Sequence, residues 1–163
     1  MKRIGLISDT HSHIHPEIPN IFNECDEIWH AGDFGHMQVA RDLMALKPLR
    51  GVYGNIDNQE IRQLFPRFLR FRCEEADVLM THIGGYPGKY APGIEEMLRT
   101  KTPDLFISGH SHILKVIRDK KFGLLHMNPG ASGRTGLHKV ITMLRFTIDQ
   151  KQFRDLDVVE FTR

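Results

Sequence analysis

The chain has 163 residues, of which 40% are hydrophobic and 26% charged, values typical of a globular protein with its own buried core. Its net charge of +2, with histidines neutral, is too small to indicate a nucleic-acid-binding protein. Its two cysteines, Cys25 and Cys73, are too far apart in sequence to indicate a disulfide framework or a zinc knuckle.

The amino-terminal segment MKRIGLISD starts with basic residues, but its apolar run ends at Asp9 and is too short for a signal peptide. No segment approaches the roughly 20 apolar residues that cross a bilayer. We therefore expect a cytoplasmic protein with no membrane contact, folded as a single domain over residues 1–163.

Short apolar runs that end in polar or glycine-rich turns predict five buried strands, at residues 3–8, 26–31, 49–53, 77–81 and 104–108. Segments with helical spacing alternate with them. Pro16 suits a first helical turn, and Asn58 suits an N-cap. The predicted helices are residues 16–25, 37–46, 58–65 and 93–101.

From residue 112 onward the pattern changes to strands without helices between them. These strands are predicted at residues 112–119, 122–128, 139–149 and 155–162, with the KKFG turn (120–123) closing a hairpin. The segment FPRFLRFRC (65–73) alternates apolar residues with arginine, which favours a half-buried edge strand or a subunit contact over a nucleic-acid surface. Together these elements predict a layered α/β fold in which two sheets pack together and helices cover the outside.

The turns that follow the first five strands share one property: each carries a side chain able to bind a metal ion. Side chains at the carboxyl ends of strands in open α/β sheets assemble into sites. Five consecutive strand ends of this kind are a far stronger signal than any one of them. The residues are Asp9 and His11, then Asp33, then Asn55, then His82, and finally His110 and His112.

The spacing of these residues favours a shared centre. In an extended segment, residues i and i+2 point to the same side, so Asp9 and His11 are expected to reach one centre. His110 and His112 are expected to face one centre or two neighbouring ones. The glycines that precede Asp33 and Asn55 would let the backbone approach a crowded site closely.

Asp33 is the expected bridge between two metals, because a carboxylate has two oxygens to share. Two divalent cations, the two aspartates and a bridging hydroxide would leave the centre net positive, so that it attracts a phosphate. Two metals roughly 3.5–4 Å apart can hold the attacking and bound oxygens of an in-line displacement. The pattern therefore favours a two-metal centre that binds a phosphate.

The motifs SDTH, GD, GN, TH and GHSH, in this order over residues 8–112, resemble the signature of the calcineurin-like metallophosphoesterases. The segment NPGASG (128–133) also resembles a loop of the short bacterial and archaeal phosphodiesterase branch of that family. The ordered set is specific, whereas GD or TH alone is not. The resemblance implies a two-sheet αββα sandwich of the metallophosphoesterase type, in agreement with the predicted elements.

The resemblance also implies a division of the ligands. One metal would be held by Asp9, His11, Asp33 and His112, and the other by Asp33, Asn55, His82 and His110. Mixed oxygen and imidazole ligation suits transition metals, and we expect manganese, with iron, nickel or zinc as alternatives. Asn55, His82 and His110 are expected to act in catalysis as well, Asn55 by stabilising charge on the phosphoryl oxygens.

Two motifs depart from the family pattern. Many of its phosphatases have a histidine after Gly-Asn that protonates the leaving group, but this chain has Ile56 there. His13 and His36 lie in neighbouring turns and are alternative acids, or ordinary loop histidines. The segment 83–93, rich in glycine and tyrosine, is either a mobile rim loop that contacts substrate or a surface turn with no such role. His30, His126 and His138 have no motif support and are interpreted as structural.

The missing histidine favours a phosphodiesterase that acts on small phosphodiesters, because diesters with good leaving groups need little acid help. A phosphomonoesterase or nucleotidase is one alternative. Another is a non-catalytic binding scaffold, since a eukaryotic trafficking-complex subunit resembles this branch. Nucleic-acid substrates are not expected, and a homo-oligomer is compatible with the sequence.

Overall fold

A computed structural model of the chain describes all 163 residues as twelve strands and four helices. In chain order they are β1 (Lys2–Ile7), α1 (Ile18–Ile21), β2 (Glu27–His30), α2 (Met37–Leu46), β3 (Leu49–Gly51), α3 (Gln59–Leu64), β4 (Phe68–Cys73), β5 (Ala76–Thr81), β6 (Gly85–Tyr86), β7 (Lys89–Tyr90), α4 (Ile94–Thr100), β8 (Leu105–Ile107), β9 (Leu114–Asp119), β10 (Leu124–Pro129), β11 (Val140–Asp149) and β12 (Gln152–Thr162).

The strands form two five-stranded mixed sheets and one small hairpin. The first sheet has the order β12–β11–β1–β2–β3, and the second has the order β4–β5–β8–β10–β9. Strands β1, β2 and β3 are parallel, as are β5, β8 and β10, and the remaining strands pair antiparallel. The parallel strands bring the carboxyl ends of β1, β2 and β3 to one edge of the first sheet, and those of β5 and β8 to one edge of the second.

Alternating side chains on the strands build the core on both faces of each sheet. Val78 and Met80 of β5 join Trp29 in an apolar cluster between the sheets. Leu79, between them in sequence, points to the opposite face and packs with Leu98 of α4. A third cluster lies under α1, α2 and α3. Helices therefore cover both outer faces, which confirms the predicted αββα sandwich.

The helices follow the predicted positions, with one clear difference. Helix α2 matches residues 37–46, and the Asn58 side chain caps α3 by accepting a hydrogen bond from the Ile61 amide at 3.2 Å. The first helix was predicted over residues 16–25 but spans only Ile18–Ile21. The chain after it makes short turns that lead directly into β2, so the segment 22–25 does not continue the helix.

Strand β4 confirms the edge strand expected in residues 65–73, since it ends the second sheet. Residues 112–119 and 122–128 form the expected hairpin as β9 and β10. Both cysteines are buried and unpaired. None of the helices has the length and apolar character needed to cross a membrane.

Candidate metal centre

The strand ends bring the seven sequence-predicted side chains to one place. Two groups of potential ligand atoms, each within 4.8 Å of one another, are present: Asp9 with His11 and His112, and Asp33 with His82 and His110. Asn55 adjoins the second group, because its Oδ1 lies 3.0 Å from Nδ1 of His110. The grouping coincides with the division of ligands implied by the resemblance.

The backbone reaches this arrangement through left-handed turns, so the expected extended conformation is wrong. Asp9, His11, Asp33, His110 and His112 have φ between 43° and 72°. Such values are uncommon for residues other than glycine, although Asp and His tolerate them better than most. The turns after β1 and β2 hold each other in place through hydrogen bonds from the Asp9 amide to Gly32 O (2.9 Å) and from the His11 amide to Asp33 O (3.1 Å).

The Asp9 carboxylate is fully buried, with one oxygen fixed and the other free. Its Oδ2 accepts hydrogen bonds from Ser8 Oγ at 2.6 Å and from the His110 amide at 3.1 Å. Its Oδ1 has no hydrogen-bond partner and lies 3.2 Å from Nε2 of His112 and 3.8 Å from Nε2 of His11. The fixed oxygen therefore orients the free one toward the imidazoles.

The Asp33 carboxylate also uses its two oxygens differently. Oδ1 accepts a hydrogen bond from the Ile56 amide at 3.1 Å. Oδ2 lies 3.3 Å from Nε2 of His11 and 3.1 Å from Nε2 of His82. A histidine from each group thus approaches the same oxygen, Oδ2. The expectation from the sequence was that both carboxylate oxygens would take part in the bridge.

This donor set fits a metal ion better than it fits hydrogen bonding within the protein. Asp9 Oδ1, His11 Nε2 and His82 Nε2 are buried without a hydrogen-bond partner, which is uncommon in native proteins. Metal bonds of about 2.0–2.2 Å place neighbouring ligand atoms about 3.0–3.5 Å apart, close to the separations found here. His82 Nδ1–H donates to Ala31 O at 2.7 Å, so its Nε2 carries the lone pair that a metal needs.

The electrostatics keep both carboxylates ionised. Burial alone would raise the pKa of Asp9, but the neighbouring imidazoles of His11 and His112 hold it well below its usual range. Burial likewise opposes ionisation of Asp33, whose pKa is lowered by the neighbouring imidazole of His82. The carboxylates in turn raise the pKa of His11 and His82. The centre therefore favours the binding of cations.

His138 contacts the centre, although the sequence indicated only a structural role. Its Nε2–H donates to Gly133 O at 2.7 Å, and its Nδ1 lies 3.2 Å from Nδ1 of His112. With neutral rings, His138 accepts the Nδ1–H of His112, which leaves Nε2 of His112 free as a ligand atom. The nearest sequence signal was the NPGASG segment that precedes it.

The structural interpretation of His30 and His126 is confirmed, because both rings are buried and hydrogen-bonded to neighbouring groups.

Asp57 is a second residue that the sequence argument missed. Its buried carboxylate accepts hydrogen bonds from the amides of Asp33 (3.0 Å), Gly35 (3.0 Å) and Gly54 (2.7 Å). It thereby joins the turn after β2 to the turn after β3. Gly54 must be glycine, because a Cβ atom there would collide with the Asp33 carboxylate. The only sequence signal for Asp57 was its position two residues after Asn55.

The candidate general acids do not join the seven side chains. Ile56 is 46% exposed at the rim, where only its amide contacts Asp33. His13 has a buried Nε2 without a hydrogen-bond partner, and burial lowers its pKa. His36 is exposed at the start of α2. Neither ring makes a hydrogen bond to the seven side chains.

The segment 83–93 forms the β6–β7 hairpin. Tyr90 Oη donates to the Asp119 carboxylate at 2.5 Å and packs on Phe106, while the Tyr86 ring lies under the ammonium group of Lys115. Both tyrosines thus contact the second sheet and its edge rather than the seven side chains.

Comparison with known proteins agrees with the resemblance. Residues 1–151 match the model of the calcineurin-like phosphoesterase superfamily domain. A probable metallophosphoesterase of Methanothermobacter thermautotrophicus is 30% identical over 135 residues, 78% of this chain and 76% of that protein. A phosphodiesterase of Methanocaldococcus jannaschii is 25% identical over 145 residues, 78% of this chain and 82% of that protein. The structure of zinc-complexed Vps29 from Entamoeba histolytica has a TM-score of 0.71 at 16% identity, with 98% of each chain covered, and so shares the fold.

Proposed function

The chain belongs to the calcineurin-like phosphoesterase superfamily, and we propose that it is a dinuclear metal-dependent phosphodiesterase acting on small phosphodiesters. The observation that carries the proposal is the position of Asp33 Oδ2, 3.3 Å from a histidine nitrogen of one group and 3.1 Å from one of the other. A single oxygen so placed suits a bridge between two ions.

In this proposal the residues that would hold the first ion are Asp9, His11, Asp33 and His112, and those that would hold the second are Asp33, Asn55, His82 and His110. The donors are carboxylate, amide and imidazole groups, which suit manganese, with iron, nickel or zinc as alternatives. When bound, such ions lower the pKa of water and neutralise charge on a phosphoryl group.

The protein itself orients the substrate and limits which leaving groups are accepted. Asn55 is exposed, so its Nδ2 can donate to a phosphoryl oxygen while Oδ1 faces the centre. Ile56, also at the rim, has no proton to give to a departing alcohol. The site therefore suits diesters whose leaving groups are already stable as anions, which disfavours the alternative of a monoesterase or nucleotidase.

A substrate panel tests this proposal. With Mn²⁺ present, turnover of a bis-aryl phosphodiester should exceed that of the matching aryl monoester by about tenfold or more, because the additional negative charge of the monoester opposes nucleophilic attack. Chelation followed by dialysis should abolish both activities, and the panel is repeated with Fe²⁺, Ni²⁺ and Zn²⁺. A clear preference for the monoester would refute the diesterase assignment, whereas an inactive protein that binds no metal would point to a scaffold.

A second prediction concerns His138, which we place behind His112 as a positioning residue. His138→Phe keeps a ring but removes the acceptor for the Nδ1–H of His112, so the affinity for Mn²⁺ should fall by about tenfold. His138→Gln retains a side-chain oxygen and should recover most of that affinity. Calorimetric titration of metal into metal-free protein measures both variants, and equal affinity of wild type and His138→Phe would show that the contact does not support the ligand.

A further inference from the structure

A cavity of about 250 Å³ opens directly beside the candidate centre. Asn55 and His82, which we assign to the second metal, form one of its walls. Arg62 and Arg67 also line it, and no acidic side chain does. The cavity is thus a basic pocket that shares two side chains with the centre.

Arg62 is held in place by contacts with three neighbouring residues. Its guanidinium lies 4.6 Å from the centre of the Tyr53 ring, and its Nε donates to Asp57 O at 2.7 Å. Its remaining contact is a long one, 3.4 Å from Nη2 to Asn55 O. These contacts orient the guanidinium but leave its charge without a carboxylate partner.

Arg67 has fewer polar contacts than Arg62. It precedes β4, and its exposed guanidinium makes no hydrogen bond or ion pair with the rest of the chain. Its guanidinium carbon lies 5.1 Å from the centre of the Phe68 ring. The guanidinium is therefore free to bind an anion.

Several other arginines on the surface of the protein pair with carboxylates. Arg41 pairs with Glu60, Arg50 with Glu27, Arg70 with Asp77 and Arg145 with Asp157. Arg72, Arg118, Arg134 and Arg163 also lack a carboxylate partner, but only Arg62 and Arg67 line the cavity beside the candidate centre, where they form a local concentration of positive charge. The planar guanidinium group binds phosphate oxygens in pairs, which makes arginine well suited to phosphate recognition.

We propose that Arg62 and Arg67 bind a second phosphate of the substrate, so that the preferred substrate is a small phosphodiester carrying an additional terminal phosphate. This inference rests on the proposed function, because the reacting phosphate must occupy the centre next to Asn55 and His82. The cavity has room for a phosphate group, and Arg62 and Arg67 are the only arginine or lysine side chains that line it. A short phosphorylated diester therefore fits better than a long nucleic-acid strand.

The test compares two dinucleotides that differ in one group: pApA, which carries a 5′-phosphate, and ApA, which has a 5′-hydroxyl. Both have the same ribose leaving group, so the missing general acid slows both equally, and the ratio of their rates reports the second phosphate alone. With Mn²⁺, kcat/KM for pApA should exceed that for ApA by about tenfold, as expected for one charge-assisted contact. The gain should appear mainly in KM, since the second phosphate is bound equally before and during reaction. Arg67→Gln should reduce the ratio to about twofold or less.

Arg72→Gln is the matched control, because Arg72 is also exposed but lies outside the cavity, on β4. It should keep the wild-type ratio. Equal kcat/KM for pApA and ApA in the wild type, or an equal loss on both in Arg67→Gln, would overturn the inference. So would faster cleavage of a long oligoadenylate than of pApA.

A third substrate, the bis-aryl phosphodiester, distinguishes failure of the second-phosphate site from failure of the proposed function. If it is hydrolysed but pApA has no advantage, the second-phosphate site is refuted and the proposed function stands. If none of the three diesters is hydrolysed with any divalent metal, the proposed function fails, and the inference fails with it.

Discussion

Replacing Asp33 with asparagine is expected to remove the bridging contact and with it most of the activity. Asparagine has nearly the same size, and its oxygen can still accept the hydrogen bond from the Ile56 amide. The neutral amide of asparagine cannot replace the negatively charged oxygen that lies between His11 and His82. Metal ions contribute several kcal/mol to stabilising the transition state, and each 1.4 kcal/mol or so is a factor of ten, so we expect a loss of about 10³-fold.

Metal content should change together with activity. Wild-type protein loaded with Mn²⁺ and desalted should retain about two ions per chain, and Asp33→Asn should retain one or fewer, as measured by plasma mass spectrometry. Asp42→Asn serves as control, because Asp42 is exposed on α2 and contacts only Gln38. Unchanged circular dichroism would exclude unfolding. Two retained ions with full activity in Asp33→Asn would contradict the bridging role.

The fold was largely predictable because its strands and helices differ clearly in the spacing of their apolar residues. Buried parallel strands such as β8 are continuous apolar runs, and α2 has a clear helical face followed by Pro48. The length of α1 was not predictable in the same way. Its end depends on where the chain must turn to enter β2, which is a tertiary constraint rather than a local preference.

The residues at the centre were predictable, but the way they converge was not. Strand ends with Asp, Asn or His signal a site whatever the backbone does. The left-handed conformations of Asp9, Asp33 and His112 leave no trace in the sequence, because glycine is the residue that usually marks them. His138 and Asp57 were missed for a related reason, since their roles come from hydrogen bonds to other turns.

The strained turns themselves support a functional centre. A residue other than glycine in the left-handed region costs of order 1–3 kcal/mol, and such residues cluster at active sites. Five of the seven candidate ligands adopt this conformation. The surrounding structure maintains it through buried hydrogen bonds, such as those that Asp57 accepts from three amides. Stability is thus lost locally in order to place ligand atoms around one point.

Ile56→His is expected to shift the enzyme toward monoesters. The position lies at the rim and is 46% exposed, so an imidazole can replace the side chain without leaving a cavity in the core. Its amide would still hold Asp33, because that contact is made by the backbone. A general acid contributes about 10²–10⁴-fold for poor leaving groups, and an unoptimised one should supply the lower part of that range.

We therefore expect turnover of an alkyl phosphomonoester to rise by roughly tenfold to a hundredfold in Ile56→His, while turnover of the bis-aryl diester, whose leaving group needs no proton, changes little. Ile56→Gln is the matched control: it is polar and similar in size but cannot donate a proton at neutral pH, and should give no gain. The pH profile provides a second readout, because the gained activity should fall as the new imidazole loses its proton near its ordinary pKa of about 6.5. Equal gains in Ile56→His and Ile56→Gln would mean that polarity at the rim, and not proton donation, limits monoester hydrolysis.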